Sequence, residues 1–80
     1  MSVKNINFTL AENIFNLRKK KGLSQAELAE SLGVTYQAVS KWETAKSAPD
    51  ISLLPALAEA LDCNINELFA KAPKSKNGKI

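Results

Sequence analysis

Residues 25–44 run Q-A-E-L-A-E-S-L-G-V-T-Y-Q-A-V-S-K-W-E-T, and the reading of this stretch decides the fold. Leu28, Ala29 and Leu32 recur at helical spacing before Gly33, and Val39 and Trp42 do so after it. The pattern predicts helices over roughly 25–32 and 36–44, joined by a short turn containing glycine, which is helix-turn-helix geometry. Gly33 stands where the first of the pair must end in a left-handed conformation that glycine adopts without a Cβ clash. Ala29 is small where two helix axes would cross closely. Val34 and Val39 are apolar on the inward side, and Trp42, one turn past Val39, is expected in the core. The outward face of the second helix then carries Thr35, Tyr36, Gln37, Ser40 and Lys41, all able to form hydrogen bonds. Such a face suits a DNA major groove, where Gln can bond adenine at N6 and N7 and Lys can donate to guanine.

Further start signals lie to either side. T-L-A-E at 9–12, S-Q-A-E at 24–27 and N-I-N-E at 64–67 fit the reciprocal capping arrangement, in which a cap side chain and a carboxylate three residues on satisfy each other's backbone N–H. Thr35 and Ser52 read as simple caps. With Ser52 in that place, Pro55 falls inside the first turn, where its missing N–H forfeits no helical bond. Five starts predict five helices, roughly 10–21, 25–32, 36–44, 53–61 and 65–70, with Leu10, Ile14 and Leu17, then Leu54, Leu57, Ala58 and Leu61, facing inward. No segment alternates with period two, so the expected class is all-α. Residues 1–8 are expected as an N-terminal arm, 9–70 as the domain and 71–80 as a basic, disordered tail.

Eighty residues, 45% apolar and 24% charged, suffice for one small domain with a modest core. The net charge of +3 does not by itself signal nucleic acid. Four of the eleven basic residues (Lys71, Lys74, Lys76, Lys79) sit in the last ten positions, leaving seven against eight acidic residues over 1–70. An anion-binding face must therefore come from placement, as in Arg18-Lys19-Lys20-Lys21. The lysines of that run also complement the C-terminal end of the first helix. One cysteine, Cys63, excludes an internal disulfide, and nothing near it suggests a redox switch or a metal ligand. The opening M-S-V-K-N-I-N-F-T lacks the apolar run of a signal peptide, and no stretch approaches a membrane span. A cytoplasmic location is expected.

From about Leu17 to Phe69 the chain resembles the Cro/C1-type helix-turn-helix family of phage repressors and bacterial regulators. The resemblance is carried by L-R-K-K-K-G-L-S-Q-A-E-L-A, by L-G-V-T-Y-Q-A-V-S-K-W-E, and by S-A-P-D-I-S-L-L-P-A-L-A-E-A-L with N-I-N-E-L-F. It implies a compact five-helix, lambda-repressor-like domain in which helices two and three form the helix-turn-helix and helix three enters the major groove. It further implies that Gln25 anchors a phosphate through its amide and the helix N-terminus. Tyr36, Gln37, Ser40 and Lys41 would face base edges, Thr35 would lie near the DNA backbone, and Lys46 would meet a phosphate. Arg18 and Glu43 take the positions of a partly buried structural ion pair. After Trp42-Glu43 the family commonly has Gly where Ala45 stands. A left-handed Ala costs about 1 kcal/mol or more, which leaves open a different loop path or a longer third helix. Asp62-Cys63 likewise replaces a frequent Gly and aliphatic residue.

These readings lead to a sequence-specific DNA-binding transcriptional regulator, a repressor that binds a two-fold-symmetric operator on double-stranded DNA as a homodimer. Helix five (Leu68, Phe69), its neighbours or the arm 1–8 would supply the dimer contacts. The alternative is a protein-interaction module, such as the antitoxin of a toxin–antitoxin pair, in which a protein partner regulates or replaces DNA binding. An RNA role has less support, since no sheet or aromatic RNA-binding motif is present. An enzyme is not expected: there is no histidine, no glycine loop to cradle phosphates and no carboxylate cluster outside the caps. No cofactor, metal or membrane association is expected.

Overall fold

The structure, a computed structural model, describes residues 6–71, with side chains from Phe8 onward. Residues 1–5 of the expected arm and 72–80 of the expected tail lie outside the described residues. Five α-helices follow one another: α1 (Ile6–Lys21), α2 (Gln25–Leu32), α3 (Tyr36–Glu43), α4 (Leu54–Ala60) and α5 (Ile65–Phe69). A single 3-10 turn, Ile51–Leu53, leads into α4, and no strand occurs among the described residues. The fold is all-α, as the periodicity predicts.

Local side-chain chemistry explains most helix starts. Ser24 accepts the Glu27 N–H while Glu27 reaches back to the Ser24 N–H, and Asn64 and Glu67 do the same at α5. Thr35 caps α3 by accepting the Ala38 N–H. Two starts differ from expectation. The chain is already helical at Ile6, so Thr9 lies inside α1 and the 9–12 motif does not cap it. Helix four is entered through the 3-10 turn, capped by Asp50, whose carboxylate accepts from both the backbone N–H and the hydroxyl of Ser52. Ser52 is thus a donor to the cap rather than the cap, and Pro55 moves to the second position of α4, where its absent N–H again leaves no helical acceptor unfilled. The two hydrogen bonds from Ser52 hold the Asp50 carboxyl below its ordinary range.

Four helix ends share one geometry. A residue one or two positions past the helix takes a positive φ (Gly22 79°, Gly33 73°, Ala45 62°, Asp62 60°), and the following N–H reaches back five residues to a carbonyl of the last turn. Those bonds run from Leu23 to Arg18 (3.1 Å), Val34 to Ala29 (3.0 Å), Lys46 to Lys41 (2.9 Å) and Cys63 to Ala58 (2.9 Å). At Gly22 and Gly33 the left-handed state is unstrained. Ala45 adopts it nonetheless, so of the two paths left open by the sequence neither is taken: α3 ends at Glu43 and its loop turns as a glycine would turn it.

The core gathers Leu10, Ile14, Leu28, Ala29, Val39, Trp42, Leu57, Ala58, Leu61 and Leu68. Leu68 is fully buried. It is therefore unavailable as a dimer contact, which corrects the expectation for helix five and leaves Phe69, about a third exposed, as that helix's outward aromatic.

One buried polar residue was not anticipated. Asn13 sits on the inward stripe of α1, three residues after Leu10 and one before Ile14. Its Nδ2 lies 2.7 Å from the Leu68 carbonyl, 2.8 Å from that of Ala70 and 3.3 Å from that of Glu67. The last carbonyls of a five-residue helix have no intrahelical donors, and Asn13 supplies them from another helix. A lone amide in an otherwise apolar register was the available signal.

Candidate nucleic-acid interface

The surface in question is α3, and its orientation follows from what it buries. At 100° per residue, Tyr36, Gln37, Ser40 and Lys41 fall within one arc about 140° wide, with Val39 and Trp42 on the opposite side. Val39 is fully buried and Trp42 is 5% exposed, so the arc bearing the polar residues faces solvent. Tyr36, Gln37 and Lys41 are exposed, whereas Ser40 is half-buried. Thr35 is exposed, and its Oγ1 already accepts the Ala38 N–H at 3.2 Å, which leaves the hydroxyl proton to donate. Lys46 is exposed in the loop after α3, directly behind the left-handed Ala45. The structure thus collects Tyr36, Gln37, Ser40 and Lys41 on one helix face, with Thr35 at its start and Lys46 beyond its end.

What fixes α3 is a polar network around one carboxylate. Arg18, from the last turn of α1, donates Nε to Glu43 Oε2 (2.6 Å) and Nη2 to Glu43 Oε1 (3.0 Å), while Nη1 donates to the Leu23 carbonyl (2.7 Å). The two side chains are 9% and 4% exposed, so the pair is shielded from water and bidentate. Arg18 also lies 5.5 Å from the centre of the Phe15 ring. Glu43 stands at the C-terminal end of α3, where the helix dipole disfavours a negative charge. Arg18 offsets that and links α1, the turn into α2, and α3.

Gln25 adds a third strand to the network, donating Nε2 to Glu43 Oε1 at 3.0 Å. The Gln25 amide is therefore half-buried and has one of its two protons engaged within the fold, a placement that sequence reasoning missed. Beside it, the backbone N–H groups of Gln25 and Ala26 donate to nothing among the described residues. They belong to residues lining a shallow groove between the end of α1 and the start of α2, together with Arg18, Lys19, Tyr36 and Glu27, whose carboxylate is taken up by the Ser24 N–H. Backbone donors at a helix start and nearby lysine make this groove favourable to an anion.

Charge is segregated over the fold. Residues 47–70 carry Asp50, Glu59, Asp62 and Glu67 and no base. The bases Arg18, Lys19, Lys20, Lys21, Lys41 and Lys46 all lie at the end of α1, on α3 or just past it. Residues 6–46 also carry Glu12, Glu27, Glu30 and Glu43, one of which, Glu43, is paired with Arg18, so the excess of base there is modest. Cys63 lies in the acidic stretch 47–70, where burial, then the Glu67 and Asp62 carboxylates, push its thiol above the ordinary range. Among the described residues no three His, Cys, Asp or Glu side chains converge as a metal site, and no helix is long and apolar enough to cross a membrane.

The model of the helix-turn-helix family matches residues 14–68 of the chain. An uncharacterised HTH-type transcriptional regulator of Rickettsia prowazekii is 39% identical over 67 residues, 84% of this chain and 52% of that protein. A counterpart from Rickettsia conorii is likewise 39% identical over 67 residues and matched over 54% of its length, so the chain spans about half of these relatives. Among solved structures, the P22 c2 repressor in complex with a synthetic operator matches with a TM-score of 0.73 and 35% identity, over 79% of this chain and 96% of that one. The hypothetical transcription factor NHTF from Neisseria matches with a TM-score of 0.79 and 29% identity, over 90% of this chain and 82% of that one.

Proposed function

The chain belongs to the helix-turn-helix family of Cro/C1 type, and on that premise we propose that it is a DNA-binding transcriptional regulator that reads duplex DNA with α3. The observation that carries the proposal is the exposed arc of Tyr36, Gln37 and Lys41 on a helix anchored by the buried Val39 and Trp42. Eight residues make a helix about 12 Å long, which fits the mouth of a major groove about as wide. In this reading Gln37, Tyr36, Lys41 and, at the margin, Ser40 face base edges. Thr35 and Lys46 meet the sugar-phosphate backbone at the two ends of α3, and Gln25 meets a phosphate at the start of α2. Arg18 and Glu43 hold the frame.

The placement of charge supports the same face: Lys41 and Lys46 lie on α3 and just past it, while residues 47–70 carry acids and no base. One helix-turn-helix covers too few base pairs for selectivity in a genome, so the protein acts as a dimer on two half-sites of a symmetric operator. Repression by occupying a promoter is the regulatory mode we propose, in keeping with the P22 c2 repressor among the matches.

Selection from a random duplex library with the purified protein at physiological salt tests this. Enrichment of a two-fold-symmetric motif with half-sites about 10 base pairs apart is expected. Weak, salt-sensitive binding with no motif would overturn the reading in favour of a protein-interaction module.

A further inference from the structure

We infer that Glu43 is a positioning residue for Gln25, holding its amide at the start of α2 in readiness for a phosphate of duplex DNA. The inference rests on the DNA-binding reading above and deepens it. Both carboxylate oxygens of Glu43 are fixed by the Arg18 fork, and Oε1 has a further donor in Gln25 Nε2, 3.0 Å away. A carboxylate only accepts, so the amide nitrogen, not its oxygen, must face Glu43, and the flip state of Gln25 is determined by its partner. Arg18 neutralises Glu43, so a negative charge can lie behind Gln25 without repelling a phosphate in front of it.

The restraint matters for what remains. Nε2 keeps a second proton, and at the same helix start the backbone N–H groups of Gln25 and Ala26 have no acceptor among the described residues. A phosphate oxygen is an acceptor only, and the start of α2 offers it donors of the kind it takes. A glutamine free in solvent must freeze its torsions to make such a contact; one already tethered has far less freedom to lose. The Arg18–Glu43 pair would tie α1 to α3 without Gln25. The additional bond acts on a half-exposed side chain at a helix start, where order contributes little to the core and much to an incoming anion.

The chain has two glutamines, and Gln37 is exposed, so it serves as the internal control. In nitrogen-15 spectra of the wild-type protein without DNA, one Gln25 side-chain proton is expected downfield and slow to exchange with water, and neither Gln37 proton is. Equal exchange at the two residues overturns the proposal, and no variant has to fold for that result. The second arm measures binding of a mixed-sequence duplex about 20 base pairs long at low salt, where phosphate contacts dominate. Glu43→Asp keeps the negative charge but draws the carboxylate back from Gln25 and from the Arg18 fork alike, which is why the double variant is needed; Gln25→Met keeps length and removes the donor. Each is expected to weaken binding about fivefold, and the double variant no more than either alone. Losses that multiply to about 25-fold mean that Glu43 acts through the fold alone and overturn the positioning role. A wild type with the expected amide signature that binds no duplex overturns the DNA-binding reading itself, and the phosphate role with it.

Discussion

Ala45→Gly replaces an L-residue held at φ 62° with one that adopts that backbone state freely. The hydrogen bonds around it, Ala45 N–H to the Trp42 carbonyl at 3.2 Å and Lys46 N–H to the Lys41 carbonyl at 2.9 Å, use backbone atoms and survive the change. Three terms set the sign. Relief of the left-handed clash contributes about 1–2 kcal/mol. The greater freedom of glycine in the unfolded chain takes back about 0.5–1 kcal/mol. Ala45 is half-buried, so loss of its methyl removes at most a few tenths of a kcal/mol. The net is a stabilisation of about 0.5 kcal/mol, which for a domain of this size raises Tm by about 2–4 °C. Gly33→Ala is the reciprocal experiment: its φ is 73° and an added Cβ would meet nothing within 4 Å, so the left-handed cost and the opposing unfolded-chain term act alone and the variant should lose about 0.5–1 kcal/mol. Thermal unfolding followed by far-ultraviolet circular dichroism reads both. If Gly33→Ala falls in stability while Ala45→Gly falls too, the strain assigned to Ala45 is refuted.

Asn13→Ala leaves the carbonyls at the end of α5 without their donor and should cost about 1–3 kcal/mol in urea unfolding; an unchanged midpoint would mean that water serves those carbonyls equally well. Arg18→Met strands the Glu43 carboxylate and should cost about 3–5 kcal/mol, with much of the loss restored in Arg18→Met/Glu43→Leu; a double variant as unstable as the single would refute the desolvation argument. Gln37→Ala should weaken binding to a selected operator by about 1–3 kcal/mol while leaving mixed-sequence DNA untouched; equal losses on both would remove Gln37 from base readout. Because the folded state raises the Cys63 pKa, its thiolate is disfavoured in the fold. Alkylation of the native protein should lag behind that of the unfolded chain at mildly alkaline pH, and stability should fall as pH climbs through the thiol range. Equal alkylation rates would contradict the shift.

The helix-turn-helix was legible because its signals are local. Gly33, the Ser24–Glu27 cap and the apolar pairs at 28, 29, 39 and 42 each act within about one turn, and α2 begins and ends where they place it. The outward arc of α3 was legible for the same reason, since burying Val39 and Trp42 leaves Tyr36, Gln37 and Lys41 on the other side. Local rules failed where a neighbouring segment competed. The 9–12 motif resembles a cap, but helix continuing from Ile6 carries Thr9 past the position where a cap is needed. Asp50 captures Ser52 two residues away before Ser52 can cap α4.

By itself the sequence determined the all-α class, the helix-turn-helix over 25–44, which the structure ends one residue earlier, and the polar face that α3 shows to solvent, since periodicity and capping are short-range and the code for them lies in adjacent residues. Only the tertiary structure decided that Asn13 serves carbonyls 54 to 57 residues away, that Leu68 belongs to the core, and that Gln25 shares Glu43 with Arg18. It also decided that Ala45 accepts a glycine's conformation. The physical reason is common to all four. A buried polar group must find its partner and a packed helix must reach its place in the core. Which atoms meet that demand is fixed when the helices close on one another, at separations no local pattern records.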